Sequence, residues 1–234
     1  MCRESVRQLM RRMGFSYKKS KKLLSRACPE KRAIHQAKMN VFLAEAQRGE
    51  RTLVFMDPAH IQRDVDLGYG WGLREKPLYV ASPSIGLRKR TTFFGAYIYN
   101  EGKVWLRPAE RANAATTCEV LSELKERLKD APKITIIWDN ASYHRAKRCH
   151  RRAAELGMEI VHLPPYSPDL MPVEELWNWF RTNVTRNRFF AKERALIEAA
   201  QEFQDIVNTD VYAVADRLIV LEELDPAFEE LLAS

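Results

Sequence analysis

The sequence has few cysteines and no long apolar run, and both features narrow the classes of protein to which it can belong. Among its 234 residues there are four cysteines, and Cys2, Cys28, Cys118 and Cys149 form no CxxC pair, which argues against a zinc site and against a disulfide framework. No stretch approaches the roughly 20 apolar residues of a membrane-spanning helix. The amino-terminal segment MCRESVRQLMRR also lacks the apolar part of a secretory signal. We therefore expect a cytoplasmic protein.

Basic and acidic residues are separated along the chain. Residues 1–40 contain twelve Lys or Arg against two Glu, whereas residues 191–234 contain three against eleven Asp or Glu. A basic segment of this density suits a polyanion such as DNA, because each neutralised phosphate releases counterions. A solvated charged helix is the alternative explanation for such a run.

Three acidic residues follow apolar segments that predict buried structure. Thr52–Met56 is predicted as a strand that ends at Asp57, and Ile134–Trp138 as a strand that ends at Asp139. The segment PPYSPDLMPVEELW places Glu174 on the first turn of a helix entered through a proline-rich loop. Three carboxylates brought together are the ligands that hard divalent cations prefer, which indicates metal-dependent phosphoryl transfer. Strand-end aspartates are more often turn formers, so each of the two taken alone is weak evidence.

Three stretches of the chain carry a family resemblance. FMDPAHIQRDVDLGYGW, IIWDNASYHRAK and LPPYSPDLMPVEELWNWFR occur in this order, with 34 residues between Asp139 and Glu174. In these stretches the sequence resembles the DDE-type transposases of bacterial insertion sequences, in the mariner-like superfamily and nearest to insertion-sequence family six-thirty. The resemblance implies an α/β, ribonuclease-H-like mixed sheet flanked by helices. It also implies that Asp57, Asp139 and Glu174 are catalytic and bind two Mg²⁺ or Mn²⁺ ions.

The substrates that the resemblance implies are double-stranded DNA, both the inverted-repeat ends of a transposon and the target DNA. Three polar residues near the acids are candidates to orient them: Asn140 and His144 after the second aspartate, and His60 after the first. A turn-forming Asn and a surface His at a helix start are equally ordinary explanations. Arg181, on the helix of Glu174, is a candidate for a DNA phosphate contact.

The basic amino-terminal segment predicts a short helix capped by Ser5, followed by an extended piece. This pattern resembles the last helix and wing of a winged helix-turn-helix whose preceding helices are missing. We therefore expect a truncated winged-helix remnant that contacts phosphates, in a chain that is the downstream product of a split reading frame or a truncated copy. An upstream-frame product would then supply the missing helices. The candidate DNA-binding residues in this segment are Arg7, Arg11, Arg12, Lys18, Lys19, Lys21 and Lys22.

We predict three parts in the chain. Residues 1–50 form the partial winged helix and a linker helix, residues 51–190 the catalytic domain, and residues 191–234 an acidic helical tail. The apolar positions predicted for the tail include Ala195, Ile197, Ala200, Phe203 and Ile206. The tail is expected to pack on the core, to meet a second subunit in a homodimer, or to fold over the basic segment.

Two other functions remain open on the residues alone. The chain is compatible with a non-catalytic DNA-binding relic that regulates transposition, or with a structure-specific nuclease of the same fold. Strict dependence of nicking on magnesium or manganese would separate an enzyme from the regulator. The segment PPYSPDLMPVEELW favours the transposase over the nuclease.

Overall fold

The computed structural model describes residues 2–17, 24–83 and 89–233, and its centre is a mixed sheet. The strands are β1 (Thr52–Gln62), β2 (Arg90–Ile98), β3 (Lys103–Ala109), β4 (Ile134–Trp138) and β5 (Glu159–His162). Their order across the sheet is β3-β2-β1-β4-β5. The first three in sequence pair antiparallel, whereas β4 and β5 add in parallel on the other side of β1. The predicted mixed sheet is therefore confirmed.

Eight helices are present in the part of the chain that the structure describes. They are α1 (Arg3–Arg12), α2 (Pro29–Gln47), α3 (Ala114–Arg127), α4 (Lys147–Glu155), α5 (Val173–Phe180), α6 (Glu193–Val207), α7 (Val211–Arg217) and α8 (Pro226–Ala233). Short 3₁₀ turns lie at Tyr99–Glu101 and Pro168–Leu170, and a π-helical turn at Arg181–Thr185 follows α5 directly. Among the described residues, no helix has the length and apolar character needed to span a membrane.

The first strand runs past the residue at which the sequence predicted its end. β1 continues six residues beyond Met56, because it pairs with β2 as far as Gln62 opposite Arg90. Its parallel pairing with β4 ends earlier, at Phe55 opposite Ile137. Asp57 therefore lies within β1, two residues past the last parallel pair, and the prediction of a strand-end aspartate is wrong for this residue.

The two faces of the sheet bury separate hydrophobic clusters. Side chains alternate along β1, so that Leu53 and Phe55 join one cluster while Val54 and Met56 join the other. The first cluster is covered by α2, α5 and α6, and the second by α3 and α4. Because α2 and α6 share one cluster with the sheet, the hydrophobic core crosses the boundaries predicted near residues 50 and 190.

Helix α1 contributes no buried residue to either cluster. It begins three residues before the predicted start, and Cys2 rather than Ser5 caps it, since the Cys2 sulfur accepts a hydrogen bond from the Ser5 N–H at 3.4 Å. The predicted DNA-binding residues Lys18, Lys19, Lys21 and Lys22 lie outside the described residues. What the structure describes of the predicted winged-helix remnant is thus one exposed helix.

The acidic tail packs on the core, one of the three arrangements that the sequence left open. Asn208 on the α6 carboxyl end bonds both the N–H and the C=O of Val104, at 2.8 and 2.9 Å, and Gln36 of α2 donates to the Leu221 carbonyl at 2.7 Å. The buried face of α6 differs in part from the predicted one. Leu196, Ala200, Phe203 and Val207 are buried, whereas Ile206 is 61% exposed.

Candidate active site

The three predicted acids line one open cavity of about 680 Å³. Asp57 reaches it from β1, Asp139 from the end of β4 and Glu174 from the first turn of α5. The cavity lies where the parallel strands end, the usual position of a site in a sheet of this type. The rest of its wall comes from the turn after β4 and from the proline-rich loop, through Asn140, Ala141, Arg145, Leu163, Pro164, Pro165, Tyr166, Ser167, Pro168 and Met171.

Asp57 is the most buried and most strongly perturbed of these acids. Burial raises the pKa of its carboxyl to about 7, and the negative charges of Glu174 and Asp139 add to the increase. One stabilising contact opposes this change, because the Trp177 indole N–H donates to Oδ2 of Asp57 at 3.3 Å. Near neutral pH, Asp57 is therefore partly protonated as long as no cation compensates the neighbouring charges.

A glycine on the neighbouring strand makes room for that indole. Gly95 pairs with Asp57 across β1 and β2. A Cβ atom at Gly95 would lie 2.5 Å from the Trp177 ring, closer than carbon atoms approach one another. The contact between Trp177 and Asp57 thus depends on the absence of a side chain at residue 95.

Asp139 is held in its ionised form. Burial raises its pKa, but a hydrogen bond from His144 and one from the Ala141 N–H outweigh burial, so the pKa of Asp139 lies below its usual value. The His144 Nδ1 and Ala141 N atoms lie 2.7 and 2.9 Å from Oδ1. The backbone carbonyl of Asp139 also bonds His162 Nδ1 at 3.0 Å. Two acids in one cavity therefore have pKa values shifted in opposite directions.

His144 is fully buried rather than on the surface. Its ring stacks on Trp138 with a centroid distance of 4.4 Å and meets the Tyr143 ring edge-on at 4.5 Å. Its Nε2 atom is buried and makes no hydrogen bond within the described part of the chain. Asn140 donates to the Leu163 carbonyl at 2.6 Å and so ties the turn after β4 to the end of β5. Both residues support the Asp139 turn.

Glu174 follows a loop that a buried arginine fixes. Helix α5 has Pro172 at its N-cap position and no side-chain cap, so the loop needs other anchors. Arg32 of α2 donates to both carboxylate oxygens of Asp169, at 2.9 and 2.7 Å, and to Glu229 of α8 at 2.8 Å. The sequence reasoning missed Arg32 and Asp169, and only the position of Asp169 inside the proline-rich motif offered a signal.

The three carboxylates are suitable ligands for a divalent cation, although they are not close enough together to bind one as they stand. Three carboxylates share the cavity, and the raised pKa of Asp57 reflects a repulsion that a cation would relieve. No three His, Cys, Asp or Glu side chains of the described residues stand as a ready metal-binding group. Binding of an ion therefore requires the carboxylates to move closer together.

Other predicted site residues lie elsewhere. His60 bonds Thr92 at 3.0 Å, and it lines a second cavity with Arg181, next to Asp64 and Asp66 rather than next to Glu174. Neither His60 nor Arg181 is brought to the acid cavity.

The predicted arginines of α1 are on the surface. Arg7 is paired with Glu4 at 2.5 Å. Arg11 and Arg12 are exposed in the last turn of the helix.

The sequence of this chain resembles those of known proteins. The family model described as DDE superfamily endonuclease matches residues 52–197, which include all three acids. The chain is 27% identical over 177 residues to the insertion element IS630 uncharacterized 39 kDa protein of Shigella sonnei, covering 75% of this chain and 49% of that protein. It is also 28% identical over 116 residues to the human histone-lysine N-methyltransferase SETMAR, covering 47% of this chain and 17% of that protein. The chain thus spans about half the length of the Shigella relative and less of the human one.

Solved structures with the same fold are also known. The catalytic domain of the Mos1 mariner transposase has a TM-score of 0.61 at 16% identity, covering 94% of this chain and 96% of that chain. The Mos1 strand transfer complex has a TM-score of 0.64 at 16% identity, covering 98% of this chain and 69% of that chain. The predicted ribonuclease-H-like fold is confirmed by this likeness.

Proposed function

We propose that this chain, which belongs to the DDE superfamily endonucleases, is a transposase. It would cleave DNA at transposon ends and join the freed ends to target DNA. The observation that carries this proposal is the meeting of Asp57, Asp139 and Glu174 in one cavity, where the charges of the other two acids add to the raised pKa of Asp57. The match to an insertion-element protein and the likeness to the Mos1 strand transfer complex support it.

The three carboxylates would hold two Mg²⁺ or Mn²⁺ ions, whose chemistry is to activate the attacking oxygen and to stabilise the leaving oxygen of a phosphodiester. Structures of Mos1 with Mn and with Mg support a divalent cation as cofactor. Asp139 is prepared for this role, because His144 and the Ala141 N–H keep its carboxylate ionised. Asp57 would hold a cation in its ionised form, since its pKa of about 7 allows deprotonation near neutral pH at little free-energy cost.

Two transfers at one phosphodiester site make up the proposed reaction. In the first, water attacks the phosphorus at a transposon end, the P–O bond to the 3′ oxygen breaks, and that oxygen leaves as a 3′-hydroxyl. In the second, this hydroxyl attacks a phosphodiester of target DNA, and the displaced oxygen takes up the proton. Arg145, at the cavity wall, contributes positive charge to hold the phosphate.

The test compares the wild-type protein with Asp139→Asn on end DNA, with Mg²⁺ or Mn²⁺ and with EDTA. We expect cutting and joining by the wild type with metal, a loss of at least about 100-fold in the variant, and equal DNA binding by both. Glu126→Gln, a change of an exposed acid on α3, serves as the control for loss of one carboxylate. Equal cutting by wild type and Asp139→Asn would overturn the proposal.

The same assay separates the other two functions. Binding without any metal-dependent cutting would identify a regulator. Cutting of branched DNA or hybrids without joining would identify a structure-specific nuclease. A homodimer and an upstream-frame product that supplies the missing helices also remain proposals, which light scattering and coexpression would test.

A further inference from the structure

The outer face of α4 carries a dense group of cations. The segment RAKRCHRR at residues 145–152 contains five Lys or Arg and one His. Helix α4 turns only Cys149 and Ala153 fully inward. Lys147, Arg148 and Arg151 are exposed, and we call these three residues the α4 basic face.

Within the described ranges of the chain, no salt bridge involves the α4 basic face. Several other surface arginines are matched with glutamates, as Arg48 is with Glu50 and Arg194 with Glu198. On α4 itself, Arg152 binds Glu155 and Ser122. Glu119 and Glu155 line a cavity with Arg148 and Arg151, but their ion pairs are with Arg107 and Arg152, and no described carboxylate lies within ion-pair distance of the α4 basic face. Its charge is therefore available to an external anion.

The position of these cations is unfavourable for the helix itself. Lys147 and Arg148 occupy the first turn of α4, which has no acidic residue and no side-chain cap. Cations at the amino end of a helix oppose the macrodipole and cost about 0.3–1 kcal/mol each. Folding stability thus does not account for them.

The α4 basic face begins close to the acid cavity along the chain. Helix α4 begins eight residues after Asp139, and Arg145, between the two, lines the cavity wall. From there the nine residues of α4 extend about 13 Å away from the cavity. Duplex DNA presents one negative charge per about 1.7 Å of its axis, so a helix of this length passes several phosphates.

We propose that Lys147, Arg148 and Arg151 bind the sugar-phosphate backbone of duplex DNA whose reacting phosphodiester lies among Asp57, Asp139 and Glu174. This inference rests on the proposed function and adds a binding surface to it, separate from the amino-terminal basic segment. The contacts are to phosphates, because the side chains are flexible cations on a convex helix, and they carry no sequence information.

The experiment compares two triple variants. The first is Lys147→Gln, Arg148→Gln and Arg151→Gln, which leaves Arg145 in place. The matched control is Lys125→Gln, Arg127→Gln and Lys129→Gln, at the carboxyl end of α3 and beyond it. Both remove three positive charges, but the control changes lie at the end of α3 that leads into the start of β4, away from the cavity.

Binding is measured by fluorescence anisotropy in EDTA, so that no cutting occurs, on end DNA and on an unrelated duplex across a salt series. We expect the slope of log K against log salt to fall by about 2.7 in the α4 variant, about 0.9 for each lost phosphate contact. The loss should be equal on both duplexes, and the control should keep the wild-type slope. The single variant Arg151→Gln, expected to lower the slope by about 0.9, provides the same test if the triple variant folds poorly.

Several outcomes would overturn this inference. Equal slopes for the α4 variant and the control would do so, as would a loss confined to end DNA, which indicates base reading. A change in oligomeric state without a change in slope would show that the α4 basic face binds the acidic tail of a second copy instead. Failure of the proposed function looks different, because the wild type would then bind DNA in EDTA but not cut it with Mn²⁺.

Discussion

Arg32 of α2 binds both carboxylate oxygens of Asp169, in the loop that leads to Glu174, at 2.9 and 2.7 Å. The guanidinium is 1% exposed, lies over the Phe228 ring at 5.0 Å and also binds Glu229 of α8. A planar fork of donors suits such two-point contacts, which a lysine ammonium cannot reproduce. One side chain therefore connects α2, the loop before α5 and the acidic tail.

The first prediction concerns this arginine. Arg32→Met should destabilise the protein by about 2–4 kcal/mol, because Asp169 and Glu229 lose their shared partner, and Arg32→Lys should recover only part of that loss. The apparent affinity for Mn²⁺ in the cutting assay should also fall, since Glu174 follows the released loop. Denaturant unfolding and Mn²⁺ titration measure the two effects.

The control for that prediction is Arg48→Met, which removes an exposed pair with Glu50. Exposed pairs contribute about 0–1 kcal/mol, so little change is expected. A wild-type Mn²⁺ titration in Arg32→Met would show that Arg32 does not position Glu174.

The second prediction concerns Asp57 and pH. Its pKa is raised from 3.8 to about 7 in the folded protein, so its contribution to stability is present below pH about 4 and is lost as the pH rises through about 7. Asp57→Asn should remove this loss and stabilise the metal-free protein at pH 8, by at most about 4 kcal/mol. Chemical unfolding in EDTA at pH 5 and pH 8 measures it. If the stability of Asp57→Asn depended on pH as that of the wild type does, Asp57 would not be the group with the raised pKa.

The third prediction concerns the hydrogen bond between His144 and Asp139. His144→Phe keeps the stacking on Trp138 but removes the donor to Asp139, and it also removes the unpaired Nε2. Activity or metal affinity should fall about 10–100-fold, the usual effect of losing a residue that orients a metal ligand, with little change in stability. Tyr143→Phe, next to it, is the control. Unchanged cutting by His144→Phe would remove this residue from the mechanism.

The fourth prediction concerns Gly95. Gly95→Ala should destabilise the protein by about 1–3 kcal/mol, because the added methyl group displaces the Trp177 ring. In a Trp177→Phe background the atoms that clash are absent, so the same change should cost less. A double-mutant cycle of unfolding free energies gives the coupling. Additive effects of the two changes would mean that Gly95 and Trp177 do not constrain each other.

The parts of this structure that follow from local patterns were predictable. The strands β1 and β4 were visible as apolar runs, and the apolar stripe Val173, Leu176, Trp177, Phe180 and Val184 of the Glu174 helix is buried throughout. Helix α2 has local signals at both ends, since Pro29 begins it and Gly49 follows its end with a positive φ of 74°. These signals lie within a few residues of the elements that they define.

Features that depend on distant partners were not predictable from local patterns. The extension of β1 past Asp57 depends on β2, which begins more than thirty residues later. The burial of His144 depends on Trp138, and the anchoring of Asp169 on an arginine 137 residues away. The buried face of α6 depends on how the helix meets β3, which the helix sequence alone does not specify. Tertiary contacts overrode local preference in each case.

The two halves of β1 have different neighbours, and this difference should affect how mobile the backbone is on each side of Asp57. The strand pairs with β4 from Thr52 to Phe55, and with β2 as well at Val54 and Phe55, but from Met56 to Gln62 its pairing is with β2 alone. Amide hydrogens in the first half should exchange with deuterium only when the whole protein unfolds, while some in the second half should exchange through local fluctuation. Asp57 lies where these two halves meet, so the backbone before it is rigid and the backbone after it is more mobile. The Asp57 carboxylate can therefore shift when a cation binds or is released, without moving the centre of the sheet.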